Sequence, residues 1–146
     1  MIDQDIFKKI DFHGAKGFVF IGEKILVYRR DENTKSSPLM IDLPGGGKEG
    51  DENPFETFTR EVKEEFGIDI VKENIIYAKP HKSIFDTSKY SYFIIAKLPE
   101  DFKTKIVFGN EGLEYMLITI DEYMGRNDVI ERHRGRLKEY LALTDF

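Results

Sequence analysis

Residues 45–68 read GGGKEGDENPFETFTREVKEEFGI, three glycines and a polar turn followed by an acidic segment that stops on a glycine. The segment carries its own start and stop signals. Asn53 suits the N-cap, because its short side chain accepts a backbone N–H that the first helical turn leaves unpaired. Pro54 suits the first helical position, and Glu56 stands where a capping-box carboxylate reaches back to the cap. Gly67 stands where a helix ends in the left-handed conformation. The pattern predicts a helix over 54–66.

On that helix Phe55, Phe58, Val62 and Phe66 fall on one stripe at about 100° per residue. Glu61, Glu64 and Glu65 fall together on the arc beside it. Carboxylates at i, i+3 and i+4 repel one another unless positive charge sits among them. Hard divalent cations take oxygen ligands of this kind and share them with substrate phosphates. A solvated acidic face accounts equally well for the three glutamates taken alone.

The loop and the helix together say more. Gly46, Glu52, Arg60, Glu61, Val62, Glu64, Glu65, Gly67 and Ile68 match every fixed position of G-x5-E-x7-R-E-U-x-E-E-x-G-U, where U is a bulky aliphatic residue. This is the signature box of the Nudix hydrolases, and the chain resembles that MutT-like family. Leu43-Pro44-Gly45 resembles the family's lead-in to the box. Asp51 replaces a glycine common before the first glutamate, and Ile41 stands where many members carry tryptophan.

The composition agrees with a packed globular domain. The chain has 146 residues, 40% hydrophobic and 13% aromatic, enough for one domain over 1–146 with one sizeable core. A net charge of −5 speaks against a groove built on nucleic-acid phosphates, so no stable nucleic-acid partner is expected. The absence of cysteine excludes disulfides, zinc–thiolate sites and a thiol nucleophile. Met1–Ile10 lacks an apolar leader and no stretch approaches membrane-spanning length, which predicts a cytoplasmic protein without a membrane partner. A homodimer is left open.

Along the rest of the chain, Met1–Ile10 is amphipathic and reads as a short helix or an edge strand. Gly17–Ile21 and Lys24–Tyr28 are β-prone runs joined by Gly22-Glu23, a hairpin. Asp31–Pro38 reads as a loop and Met40–Leu43 as a short strand. Strands are predicted at Asn74–Lys79 and Tyr90–Lys97, with 80–89 as a loop between them. His81 and the aromatic Tyr90, Tyr92 and Phe93 are either packing residues or contacts to a base or phosphate. Leu98–Lys105 reads as a loop, and after Phe108–Met116 an apolar strand-like run leads to Ile120. A final helix is predicted from a cap at Asn127 or Asp128 through Leu143. His133 sits on its apolar stripe, and Arg132, Arg134, Arg136 and Lys138 on its wet face, with room for one exception near the pocket.

The resemblance implies an α/β/α sandwich around a mixed sheet, and hydrolysis of a phosphoanhydride in a nucleoside diphosphate linked to a group X. An oxidised nucleoside triphosphate, cut to monophosphate and pyrophosphate, is one such substrate. Nucleotide sugars, ADP-ribose and dinucleoside polyphosphates are others, and a silent nucleotide-sensing module is a rival that would have lost box glutamates. The implied cofactor is Mg²⁺, with Mn²⁺ able to substitute. Its implied ligands are Glu61, Glu64, Glu65, the Gly46 carbonyl and Glu111, which lies in a Glu-Gly-x-Glu-aromatic pattern beyond the box. Glu64 or Glu111 is the implied general base. Arg30 at a strand end, with Gly45 and Gly46, is the implied substrate contact, and Glu52 and Arg60 an ion pair that braces loop against helix.

Overall fold

The hairpin read before the box is the centre of a sheet. In the computed structural model, which describes residues 11–144, strand β1 (Phe12–Ile21) turns at Gly22-Glu23 into β2 (Lys24–Arg30), with Ile21 opposite Lys24. Five further strands follow: β3 (Ile41–Asp42), β4 (Gly45–Gly47), β5 (Ile75–Lys82), β6 (Tyr90–Leu98) and β7 (Gly112–Ile118). The sheet order is β3-β2-β1-β6-β5, with β4 paired to β1 and β7 to β2. The β1–β6 pair is parallel and the other pairs are antiparallel, so the sheet is mixed.

The central strands are apolar on both faces because both faces are covered. Val19, Ile21, Leu26, Tyr28, Tyr92 and Ile94 point to one core, where Phe58, Val62 and Phe66 of α1 (Pro54–Phe66) meet them. Their neighbours Phe18, Phe20, Ile25, Val27, Phe93 and Ile95 point to the other core. There they meet Tyr123 of α2 (Ile120–Gly125) and Leu137 and Tyr140 of α3 (Glu131–Leu143). The result is the α/β/α sandwich. Tyr92 and Phe93 are wholly buried, on opposite faces, and so are packing residues.

Helix α1 has the ends that its sequence predicts. Asn53 Oδ1 accepts from the Glu56 N–H at 2.8 Å, and Glu56 accepts from the Asn53 N–H at 2.9 Å. Gly67 ends the helix at φ 69°, and its N–H reaches the Lys63 carbonyl.

Elsewhere the boundaries move for tertiary reasons. β5 continues through Pro80 and His81, read from sequence as loop; it is an edge strand, where the missing proline N–H is tolerated. β7 stops at Ile118, and Thr119 and Glu122 form a capping box that opens α2 instead. α3 begins at Glu131 rather than near Asp128, whose carboxylate is held by Arg126 and Arg29 and whose carbonyl accepts from Ile41 N–H. A 3₁₀ turn at Glu100–Lys105 replaces a plain loop. The reading of Met1–Ile10 lies outside the described residues. No helix among those described is long and apolar enough to cross a membrane.

Candidate active site

The site begins where α1 crosses the glycine strand. β4 lies along β1, with Ala15 opposite Gly46 and Lys16 opposite Gly45, and the last two turns of α1 lean on it. Glu65 is 3% exposed, and its Oε1 accepts the Gly45 N–H at 3.0 Å. Gly45, read as a substrate contact, therefore gives its N–H to a helix carboxylate. A Cβ on Gly46 would lie 2.6 Å from the Glu61 carboxyl carbon, so a glycine there is what lets main chain and carboxylate meet.

Glu111 arrives by a different route. The last carbonyls of a helix need donors from outside it, and the segment before β7 supplies them. Val107 N–H donates to Phe66 O at 2.9 Å and Gly109 N–H to Glu65 O at 2.8 Å, while Phe108 packs on Phe66. The chain leaves this dock at Glu111 and enters β7 with Gly112 opposite Arg30. Carboxylate oxygens of Glu61, Glu65 and Glu111 thereby lie within 4.8 Å of one another.

Three carboxylates this close are electrostatically costly. Burial, reinforced by Glu111 and Glu61, pushes the Glu65 carboxyl up to about 8 against the pull of the Gly45 N–H and Lys16. Burial also raises Glu61, with Glu111 and Glu64 adding to the rise and Arg60 opposing it. An all-oxygen donor set of three carboxylates beside a glycine loop fits a hard divalent cation. Glu64 stands apart from the three: its side chain is half exposed and accepts from Arg60 Nη1 at 3.3 Å.

Arg60 organises the loop. Its Nε and Nη2 bind the two oxygens of Glu52 at 2.6 and 3.1 Å, and Nη2 also donates to Gly47 O at 2.8 Å. Nη1 reaches Glu61 at 3.0 Å and Glu49 at 2.9 Å. Glu52 accepts in addition from Glu49 N–H and Thr57 Oγ1, and Arg60 holds its carboxyl below the usual value. One guanidinium thus spans loop, helix and the cluster's edge.

A second polar centre was not visible in the sequence. Asp42, 1% exposed, accepts from Arg30 Nη1 at 2.6 Å, Lys16 Nζ at 2.8 Å, His133 Nε2 at 3.1 Å and Tyr28 Oη at 3.4 Å. Burial opposes its charge, but Lys16 and His133 hold the carboxyl well below the usual range. Burial pushes His133 down to about 4, so the neutral ring donates Nε2–H to an ionised carboxylate. An acid between Ile41 and Leu43 in an apolar strand was the one sequence signal, and it pointed to no partner.

Next to Gly46 and Gly47 opens a cavity of about 350 Å³, walled by His13 and Lys16 of β1, Phe85 of the β5–β6 loop, and Arg132, His133 and Arg136 of α3. Two members of the supposed wet face of α3 therefore face this cavity. Arg134 caps the carbonyls of Met124 and Arg126, and Lys138 alone of the four is exposed. His81 does not line the cavity and stands edge-on to Phe93.

The model for the NUDIX domain matches residues 11–142. No curated protein matches the sequence. Among solved structures the fold is similar to a MutT protein from Methanosarcina mazei Go1, at 22% identity over 91% of this chain and 94% of that one, TM-score 0.67. It is also similar to a bifunctional NMN adenylyltransferase/ADP ribose pyrophosphatase from Francisella tularensis, complexed with AMP and a Mn ion, at 18% identity over 92% of this chain and 42% of that one, TM-score 0.69. A C. elegans Ap4A hydrolase aligns at 17% identity over 90% of this chain and 99% of that one, TM-score 0.64. At such identities the likeness is one of fold. The domain match over nearly all of the chain, with every fixed position of the box filled, makes this protein a member of the NUDIX domain family and a Nudix hydrolase.

Proposed function

We propose that this hydrolase is a Mg²⁺-dependent pyrophosphohydrolase that cleaves a phosphoanhydride bond in a nucleoside diphosphate linked to a further group X, Mn²⁺ being able to replace Mg²⁺. The observation that carries the reading is the meeting of Glu61, Glu65 and Glu111 within 4.8 Å beside Gly46. A divalent cation bound there neutralises phosphate oxygens and acidifies water near neutral pH. Glu61, Glu65, Glu111 and the Gly46 carbonyl are the proposed ligands. Glu64 lies outside the trio with its carboxylate half exposed, and its proposed task is to accept the proton of the attacking water. Arg60 and Glu52 keep Gly47 and Glu61 in place during that attack, a supporting role.

Arg30 is proposed to bind a substrate phosphate. Asp42 and the Ser36 carbonyl hold its Nη1 and Nε, leaving Nη2 without a partner among the described residues. Planar guanidinium geometry suits phosphate oxygens. The structures of similar fold include an ADP ribose pyrophosphatase and an Ap4A hydrolase, so X ranges from phosphate to sugar or nucleoside.

The test is product analysis with purified protein and Mg²⁺ on canonical and 8-oxo triphosphates, ADP-ribose, nucleotide sugars and dinucleoside polyphosphates. Metal-dependent release of a nucleoside monophosphate from at least one of them is expected. Nucleotide binding without turnover across the panel would overturn the enzymatic reading and leave the sensing module.

A further inference from the structure

The cavity beside the glycine strand has a lining whose charge is opposite in sign to the net charge of the chain. The chain carries a net −5, yet among the described residues no carboxylate lines this cavity, while His13, Lys16, Arg132 and Arg136 do. Lys16 is committed to Asp42. Arg132 and Arg136 are not committed to any acid: neither makes an ion pair or a hydrogen bond among the described residues. They sit four residues apart on α3, where like charges repel, and both are half-buried. Arg132 has only the ring of Phe85, at 5.7 Å. Burial, followed by the like charge of Arg132, makes the Arg136 guanidinium harder to keep charged, with the charge of Glu139 opposing both from beyond ion-pair distance. The nearest acids on the helix are taken, Glu139 by Lys79 and Glu131 by Arg134.

An independent observation lies in the same wall. His133 is 1% exposed, and its Nδ1 is buried without a hydrogen-bond partner among the described residues. Because Nε2 carries the proton donated to Asp42, Nδ1 is a bare acceptor. Buried polar atoms are satisfied in the great majority of cases. Two guanidinium groups unpaired among the described residues, and one such acceptor on a residue of the same wall, around a cavity of nucleoside size, describe a ligand with an anion and a hydroxyl or N–H donor close together.

We propose that this cavity is the subsite for X, and that it selects an X group bearing its own phosphate, bound by Arg132 and Arg136, with a neighbouring hydroxyl donated to His133 Nδ1. The assignment rests on the reading of the site as a phosphoanhydride hydrolase, and it narrows the substrate to a diphosphate whose far side is phosphorylated. Phe85, 67% exposed at the tip of its loop, supplies an apolar wall against the sugar or base of X.

The direct test needs no turnover. Ribose 5-phosphate and ribose are titrated into the full chain in EDTA, so that no cation recruits phosphate to the carboxylates. Binding is followed calorimetrically and by the ¹⁵N shift of His133. The sugar phosphate is expected to bind at least tenfold tighter than ribose and to move the His133 Nδ1 resonance. Arg136→Gln should abolish most of that preference, and Arg136→Lys should restore part of it. Lys138→Gln, on the exposed side of the same helix, should leave it unchanged. Equal binding of the two sugars, or a preference that survives Arg136→Gln in a folded variant, would overturn the proposal. In turnover, diphosphates with a phosphorylated X should be favoured through KM, and Arg136→Gln should erase the preference with kcat little changed. Failure of the hydrolase reading would instead appear as no turnover of any diphosphate, with sugar-phosphate binding intact.

Discussion

Replacing Glu65 with glutamine should make the metal-free protein more stable and the enzyme far less active. Glu65 ionises near 8 rather than at its ordinary 4.5 because it is buried beside Glu61 and Glu111. The folded state therefore holds this proton more tightly than the unfolded chain does. The resulting stability is fully present below about pH 4.5 and is lost as pH rises through about 8. At roughly 1.4 kcal/mol per pH unit, the loss by pH 8 is about 4 kcal/mol. For a domain of this size, about 3–4 °C of melting temperature accompanies each kcal/mol. Glutamine keeps the acceptor for Gly45 N–H and never ionises, and Glu61 and Glu111 can accept from its amide. In EDTA the variant should thus melt with the parent near pH 4.5 and about 12–16 °C above it near pH 8. The rest of the chain is common to both proteins, so the difference between the two curves reports the ionisation of Glu65 together with its coupling to Glu61.

Added Mg²⁺ should reverse the order, raising the parent's melting temperature and hardly changing that of Glu65→Gln, while kcat falls by about 10²-fold or more. Differential scanning fluorimetry across pH 4.5–8.5, with and without Mg²⁺, gives the whole comparison. Parallel parent and variant curves in EDTA would refute the reasoning, because Glu65 would then ionise in the fold without cost.

Three further outcomes follow from other contacts. Arg60→Lys keeps the charge but loses the two-point hold on Glu52 and the bond to Gly47; steady-state kinetics should show kcat/KM down about 10–100-fold. Gly46→Ala places a Cβ 2.6 Å from the Glu61 carboxyl carbon; kcat should fall about 10²-fold and Mg²⁺ affinity with it, measured by calorimetry, while circular dichroism stays that of the parent. Asp42→Asn leaves Arg30 and Lys16 at a buried site without their counter-charge; urea denaturation should show a loss of about 3–5 kcal/mol.

How much of this was legible in the sequence follows from how local each cause is. Helix α1 was readable to the residue because Asn53, Pro54, Glu56 and Gly67 act within one turn of the ends they set. The two-sided burial of β1, β2 and β6 was readable as apolar runs, but not which residue faces which core, since that depends on the pairing of β1 with β6, some 75 residues away. Glu111 was found only through the family pattern. The physical reason it reaches Glu65 is that Val107 and Gly109 satisfy the carbonyls at the end of α1, a tertiary need with no periodic signature. Asp42 was missed for the same reason: His133, its partner, lies 91 positions away. The paired role of Arg132 and Arg136 was hidden because a helix periodicity cannot tell a face turned to solvent from one turned to a cavity.

Asp42 also bears on why the carboxylate trio stays open to a cation. Lys16 lies opposite Gly45 across the β1–β4 pair, close enough for its charge to lower Glu65. Left to itself, that ammonium is the protein's own competitor for a carboxylate in a low-dielectric site. Asp42 takes Lys16 at 2.8 Å and Arg30 at 2.6 Å, so the nearest free cations are drawn away from the trio while Arg60 engages only its rim, at Glu61. The stabilisation forgone by leaving Glu65 unpaired is then available to a divalent ion when it binds. By this argument Asp42→Asn, beyond its cost in stability, should free Lys16 to swing to Glu65 and weaken Mg²⁺ binding. The further substitution Lys16→Met, which removes the competitor, should restore Mg²⁺ affinity without restoring the buried network. A double variant that binds Mg²⁺ no better than Asp42→Asn alone would show that the two charge centres act independently.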